Sequence, residues 1–128
     1  MKILGVGVDI VKNDRLKTIA RKKNFLLRTF TKNEINFSTK KKTKIPFFAK
    51  RFAAKESFSK SLGTGIRGNL NFKDIEILND KLGKPYFRKT KKINNLIYKR
   101  FKVKKYNLYL SISDEKDYSI AFTIIQKQ

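Results

Sequence analysis

Apolar residues recur three and four positions apart between Phe48 and Leu62: Phe48, Phe52, the Ala53–Ala54 pair, Phe58 and Leu62. That spacing predicts an amphipathic helix with one face turned to the core. Pro46 suits the first turn of such a helix and Gly63 falls where it should stop. Glu56 and Lys60 stand four apart, so they share another face, one turn from each other. Upstream, residues 3–10 predict a strand with Leu4, Val6 and Val8 on one face and Gly5, Gly7 and Asp9 on the other. Glycine weakens a strand, so the pair predicts that something packs closely against its face.

The rest of the chain is read in the same way. Leu16, Ile19 and Ala20 predict a helix over 13–23, capped by Asn13 or Asp14. A second, short helix begins near Thr31, whose spacing to Glu34 matches a capping box. Residues 40–44 form a basic loop. Beyond Gly65 the period changes to two, and 72–78 predicts a strand with Ile75 and Ile77 inward and Asp74 and Glu76 on a wet face. Asn79-Asp80 and Gly83-Lys84-Pro85-Tyr86 are turn signals. A helix over 92–101 precedes strands over 106–113 and 118–125, joined by the polar loop 114–117 as a hairpin. Helices early, strands late and one long central helix make an α+β domain, expected to span 1–128 as one unit without repeat or linker.

Composition then narrows the function. Hydrophobic residues make up 40% of the 128, with eleven Phe and five Tyr, which excludes a disordered basic tail. The balance of 32 Lys+Arg against 10 Asp+Glu gives a net +22, which attracts nucleic acid, anionic membrane or acidic protein. Heavy use of Lys, Asn and Ile is also what A/T-rich coding produces, so charge alone assigns no partner. There is no cysteine and no histidine. Disulfides, thiolate metal sites and imidazole acid–base chemistry are thereby excluded, and any metal must be held by oxygen, as Mg²⁺ is. The apolar run 3–11 is interrupted by Asp9, with no small-residue cleavage site after it, and no segment is long enough to span a membrane. The cytoplasm is the expected compartment.

A carboxylate (Glu56), a lysine (Lys60), a hydroxyl (Ser59) and the Gly63-Thr64-Gly65 turn at one helix end suit a metal-bound phosphate ester. A surface ion pair and an ordinary glycine stop would read the same on that segment alone. Three segments taken together separate the two: Gly5-Val6-Gly7-Val8-Asp9-Ile10, then Arg51-Phe52-Ala53-Ala54-Lys55-Glu56 running to Gly63-Thr64-Gly65-Ile66, then Leu110-Ser111-Ile112-Ser113 leading to Asp117-Tyr118. In order and spacing the chain resembles, over nearly its whole length, the 4′-phosphopantetheinyl transferases in their small trimeric branch, the holo-acyl-carrier-protein synthases. The Gly83-Lys84-Pro85-Tyr86 turn is similar too.

The resemblance implies an antiparallel sheet packed around a long central helix, assembled as a homotrimer with active sites between subunits. It implies Mg²⁺-dependent transfer of 4′-phosphopantetheine from coenzyme A to a serine of an acidic apo-acyl carrier protein, releasing adenosine 3′,5′-bisphosphate and supporting fatty acid biosynthesis. Carried over residue by residue, Asp9 and Glu56 match the metal-binding carboxylates and Lys60 the phosphate-binding lysine. Arg51, Ser59, Gly63, Thr64, Gly65 and Pro85 match positions around the nucleotide. Arg15, Arg21, Lys22 and Arg28 lie on the early helical segment that resembles the carrier-docking helix.

The chemistry of these residues agrees with that assignment. Phosphoryl-type transfer needs positioning and charge neutralisation more than covalent help. Asp9 and Glu56 would balance Mg²⁺, Lys60 would stabilise the leaving group, and either Glu56 or a metal-bound water would take the serine proton. One position departs from the pattern: Asp114 stands where the family's motif has a histidine. Either that role is dispensable or a lysine such as Lys116 or Lys84 has taken over part of it, with the 3′-phosphate the group most affected. The competing readings are a basic, ribosome-associated nucleic-acid-binding protein and an inactive trimeric relative. Against the first, the basic residues are spread throughout and no reader motif appears.

Overall fold

Strand β1 (Lys2–Lys12) is the edge of a three-stranded antiparallel sheet in the order β1-β5-β4, where β4 is Tyr106–Asp114 and β5 is Tyr118–Lys127. The computed structural model describes all 128 residues, with every side chain except that of Lys23. β4 and β5 form the expected hairpin, from Tyr106 opposite Lys127 to Asp114 opposite Ser119. β1 runs along β5 from Lys12 opposite Tyr118 to Lys2 opposite Lys127, with a register shift between Ile3 and Gly5.

The long helix α4 (Lys44–Leu62) lies across one face of this sheet, and the two glycines are the reason it lies so close. A Cβ at Gly5 would fall 1.9 Å from the carbonyl oxygen of Ser61, and one at Gly7 would fall 1.9 Å from that of Ser57. The helix answers with small residues. Ser57, Ser59 and Ser61 are buried and turn their hydroxyls onto the carbonyls of Ala54, Glu56 and Phe58. The Ser57 hydroxyl also shares a hydrogen bond of 2.6 Å with Thr123 of β5. Phe48, Ala53, Ala54, Phe58 and Leu62 are buried in the core as their spacing predicts.

Because α4 comes so close, the strand beneath it reads inside out. Ser119, Ala121 and Thr123 of β5 are buried, whereas Tyr118, Ile120 and Phe122 are exposed. Val6, Val8 and Ile10 of β1 are exposed on the same side. The sheet therefore presents an apolar outer face.

Three readings of the pattern need correction. The helix expected over 13–23 is two short helices, α1 (Asn13–Ile19) and α2 (Lys23–Thr29). Beyond Ile19 and Ala20 the stripe would continue onto Lys23 and Asn24, which offer nothing to bury, so the chain turns and restarts at Phe25 and Leu26. Asn13 does not cap α1, whose N-cap position is Lys12. It is buried and ties the far hairpin, donating to the carbonyls of Glu115 (3.3 Å) and Lys116 (3.1 Å) and accepting from the Ser119 hydroxyl.

The strand expected over 72–78 is a 3₁₀ turn (Phe72–Asp74) followed by β2 (Ile77–Asn79), which pairs with β3 (Pro85–Phe87). Glu76 is buried rather than wet, because Thr31 and Arg88 both donate to its carboxylate. The capping box at Thr31 and Glu34 does open α3 (Lys32–Ser38). Glu34 also accepts from Lys55, a fully buried lysine of α4 whose ammonium holds the carbonyls of Phe72 (2.9 Å) and Ile75 (2.6 Å). Burial pushes the Lys55 pKa down, opposed by Glu34. A charge so placed pins the 72–77 segment to α4, and removing either partner leaves the other unpaired. Helix α5 (Lys91–Phe101), with Thr90 as its N-cap, completes the core through Ile93 and Ile97.

Candidate active site

The alternation of β1 that aims Gly5 and Gly7 at α4 aims Asp9 the same way, one step beyond the glycines. There it meets the outward face of the last turns of α4. Lys60 Nζ donates to Asp9 Oδ1 at 3.0 Å, with the aspartate side chain 14% exposed and the lysine 53%. Glu56 lies one turn before Lys60. Burial raises its pKa first and the Asp9 charge raises it further, while Lys60 opposes both. Two acids distant in sequence thus sit in one field, and at Glu56 the Asp9 charge outweighs what one exposed lysine relieves.

Such a pair suits a hard divalent cation that takes its remaining ligands from phosphate and water. The donor set fits Mg²⁺ by its chemistry. Among the described residues no third carboxylate joins to make an all-protein cage.

Arg51 belongs to a separate cleft. It is five residues before Glu56 on α4, which turns it about 140° around the helix axis. It is 5% exposed, donates to Asn79, and stacks over the Phe47 ring with its guanidinium carbon 4.7 Å from the centroid. Burial lowers its pKa to about 10, with Glu34 opposing. Its Nε is buried without a partner. The cleft beside it, about 210 Å³, is lined also by Lys41, Lys50, Pro85 and Asp114. A half-satisfied guanidinium beside a cleft that two further cations line suits an anion, with the Asp114 carboxylate opposing. Lys41 and Lys50 line the same cleft as Asp114, candidates additional to the Lys84 and Lys116 that sequence reasoning named. Neither newcomer carries a motif; only the β2–β3 turn folding back onto α4 reveals them.

The helix end behaves as expected. Gly63 takes the left-handed conformation (φ 79°) and its N–H returns to Lys60, while Gly65 (φ 74°) bonds back to Ser59. Thr64 is exposed on the turn. Ser59, by contrast, is fully buried, and its hydroxyl is spent on Glu56 O, so it does not open onto the Asp9–Lys60 surface. Two positions from both Ser57 and Ser61, it lies on the side of α4 turned away from the glycine seam. Arg15, Arg21, Lys22 and Arg28 are all exposed, spread over α1, the turn after it and α2 rather than one helix.

Comparison with known proteins adds an independent line. A sequence model of the 4′-phosphopantetheinyl transferase superfamily matches residues 5–123, and the chain belongs to that superfamily. Over 128 residues it is 56% identical to the holo-[acyl-carrier-protein] synthase of Pelagibacter ubique, with both chains covered in full. Among solved structures it is similar to the holo-[acyl-carrier-protein] synthase of Neisseria meningitidis, at 35% identity and a TM-score of 0.88 over 98% of this chain and 100% of that one. The holo-(acyl-carrier-protein) synthase of Bacillus anthracis, solved in complex with CoA (3′,5′-ADP), matches at 33% identity and a TM-score of 0.82, over 98% of each chain.

Proposed function

We infer that the chain is a holo-[acyl-carrier-protein] synthase, transferring the 4′-phosphopantetheine group of coenzyme A to a serine of an apo-acyl carrier protein. The observation that carries this reading is the convergence of Asp9, Glu56 and Lys60 from β1 and α4 in a chain 56% identical, end to end, to a named synthase.

In the reaction the serine Oγ bonds to the phosphorus bearing pantetheine, the bond from that phosphorus to the bridging oxygen breaks, and adenosine 3′,5′-bisphosphate leaves. Asp9 and Glu56 would hold Mg²⁺, which supplies Lewis-acid charge neutralisation to the pyrophosphate. Lys60, held at the mouth of the site by Asp9, is free to turn its exposed ammonium to the departing phosphate. Glu56 would be the group of this chain placed to take the serine proton. Arg51, with its unpartnered Nε, and Pro85 would hold the nucleotide end, and the Gly63-Thr64-Gly65 turn would lie along the phosphates.

The Arg51 cleft and the Asp9–Lys60 cluster face different ways on one protomer. A homotrimer in which a neighbour's cleft completes each site reconciles them, and the apolar outer face of the sheet is the surface such an assembly would cover. The whole of 1–128 acts as one transferase domain. No described helix is long and apolar enough to cross a membrane, and we assign the enzyme to the cytoplasm, serving fatty acid biosynthesis.

Incubating the protein with CoA, Mg²⁺ and apo-carrier and weighing the carrier by mass spectrometry tests the reading. A gain of one phosphopantetheine, lost in Asp9→Ala, is expected. An unchanged carrier mass with the wild-type chain overturns it.

A further inference from the structure

Behind the glycine turn lies a second cavity, of about 570 Å³, between α5 and the 64–70 loop. That volume is in the range of small-ligand sites. Its origin is visible in the sequence of α5. Leu96, Lys99 and Arg100 stand at i, i+3 and i+4, so the helix presents one leucine flanked by two cations on a single face. The loop opposite supplies Arg67 at the rim and Leu70 in the floor, beside Leu62 from the last turn of α4. Leu62 and Leu70 are buried and Leu96 half-buried.

The charges are one-sided. Arg100 uses its Nε on the Leu62 carbonyl at 2.9 Å, which leaves its remaining N–H groups free to serve the cavity. Lys92, at the far rim, is matched by Asp74 at 2.6 Å. Arg67 and Lys99 have no carboxylate partner among the described residues, and no acid lines the cavity. An apolar floor under unpaired cations complements an amphiphile, where the alkyl part covers the leucines and the head meets Arg67, Lys99 and Arg100.

We propose that this cavity binds a small single-chain amphiphile with a negatively charged head, a carboxylate or a phosphate monoester on an alkyl chain. The site is separate from the Asp9–Glu56–Lys60 cluster and the Arg51 cleft, shares Thr64 with the glycine turn, and stands whether or not the chain is a transferase.

The test uses the full chain with octanoate, octyl phosphate, 1-octanol and inorganic phosphate as probes, read by calorimetry and by amide chemical shifts over residues 64–70 and 92–100. Octanoate or octyl phosphate binds saturably with shifts confined to those residues, and whichever binds more tightly fixes the head group. 1-Octanol and inorganic phosphate bind at least about tenfold more weakly, and Arg67→Glu/Lys99→Glu weakens the amphiphile by about tenfold or more while leaving transfer to carrier unchanged at high salt, where the altered net charge is screened. Both substituted residues are exposed, so the variant folds. Equal binding by the double variant, equal binding of inorganic phosphate, displacement of the amphiphile by coenzyme A, or no binding at millimolar concentration each overturns the proposal.

Discussion

Glu56 carries a tension that the rest of the chain supports. Its carboxylate is destabilised by burial and by Asp9, and the folded state binds its proton more tightly than the unfolded chain does. The Glu56 contribution to stability is therefore fully present below the ordinary carboxylate pKa and declines as pH rises through the raised value. Glu56→Gln removes that decline. Without divalent cation the variant should melt above the wild type at neutral pH, with a difference that shrinks as pH falls, followed by calorimetry across a pH series. Its transfer rate should drop about 100-fold or more, in line with loss of a general base and a metal ligand.

A second residue-scale prediction concerns Asp114. Lys41, Lys50 and Arg51 surround its cleft, enough cation to offset one carboxylate and still receive a 3′-phosphate. KM for coenzyme A should stay at or below that for 3′-dephospho-CoA. A large preference for the dephospho form would show that the cations do not compensate. This arrangement was only partly legible in the sequence. Glu56 and Lys60 fell out of helical spacing and Asp9 entered through the family resemblance, whereas Lys41 and Lys50 enter the cleft through a tertiary turn that no periodicity encodes.

At the scale of elements, the seam between α4 and β1 decides the architecture. Gly7 is needed for space rather than for backbone freedom, since an added methyl would meet the Ser57 carbonyl at 1.9 Å and the Ser61 nitrogen at 2.7 Å. Backbone cannot move aside as a side-chain tip can. Gly7→Ala should therefore cost about 3 kcal/mol or more, the upper range for overpacking, measured by denaturant unfolding. It should also displace Asp9 from Lys60 and depress transfer.

The long helix, the hairpin and the glycine face were readable because each rests on a local repeat. The break after Ile19, the 3₁₀ turn at Phe72 and the burial of Glu76 were not. Those are settled by partners far along the chain: Arg88 and Thr31 for Glu76, and Lys55 for the carbonyls of Phe72 and Ile75. A polar residue reads as solvated until the group that satisfies it is seen.

For the whole molecule, a net +22 on 128 residues is a long-range field more than a set of contacts. The exposed cations of α1, α2 and the turn between them would give that field a place to act on the proposed acidic carrier, where complementary charge raises the association rate more than the final affinity. Arg15→Glu/Arg28→Glu should slow transfer severalfold at low salt, lose most of that difference at high salt, and leave CoA binding unaltered by calorimetry. Unchanged kinetics at low salt would move docking to another face.

Asn13 closes the molecule in a way that bears on its birth as well as its chemistry. The first strand has one neighbour in its sheet, and that neighbour is the last strand, latched in place by an asparagine more than a hundred residues upstream. On the ribosome, β1 must wait, with an unpaired edge, until the hundred or so residues between it and β5 have been made. Pairing between strands so far apart in sequence is slow, because a loop of that length must close before any hydrogen bond rewards it. Until β5 pairs with it, β1 is held only by its glycine seam against α4, so the strand that carries Asp9 gains its one sheet partner late.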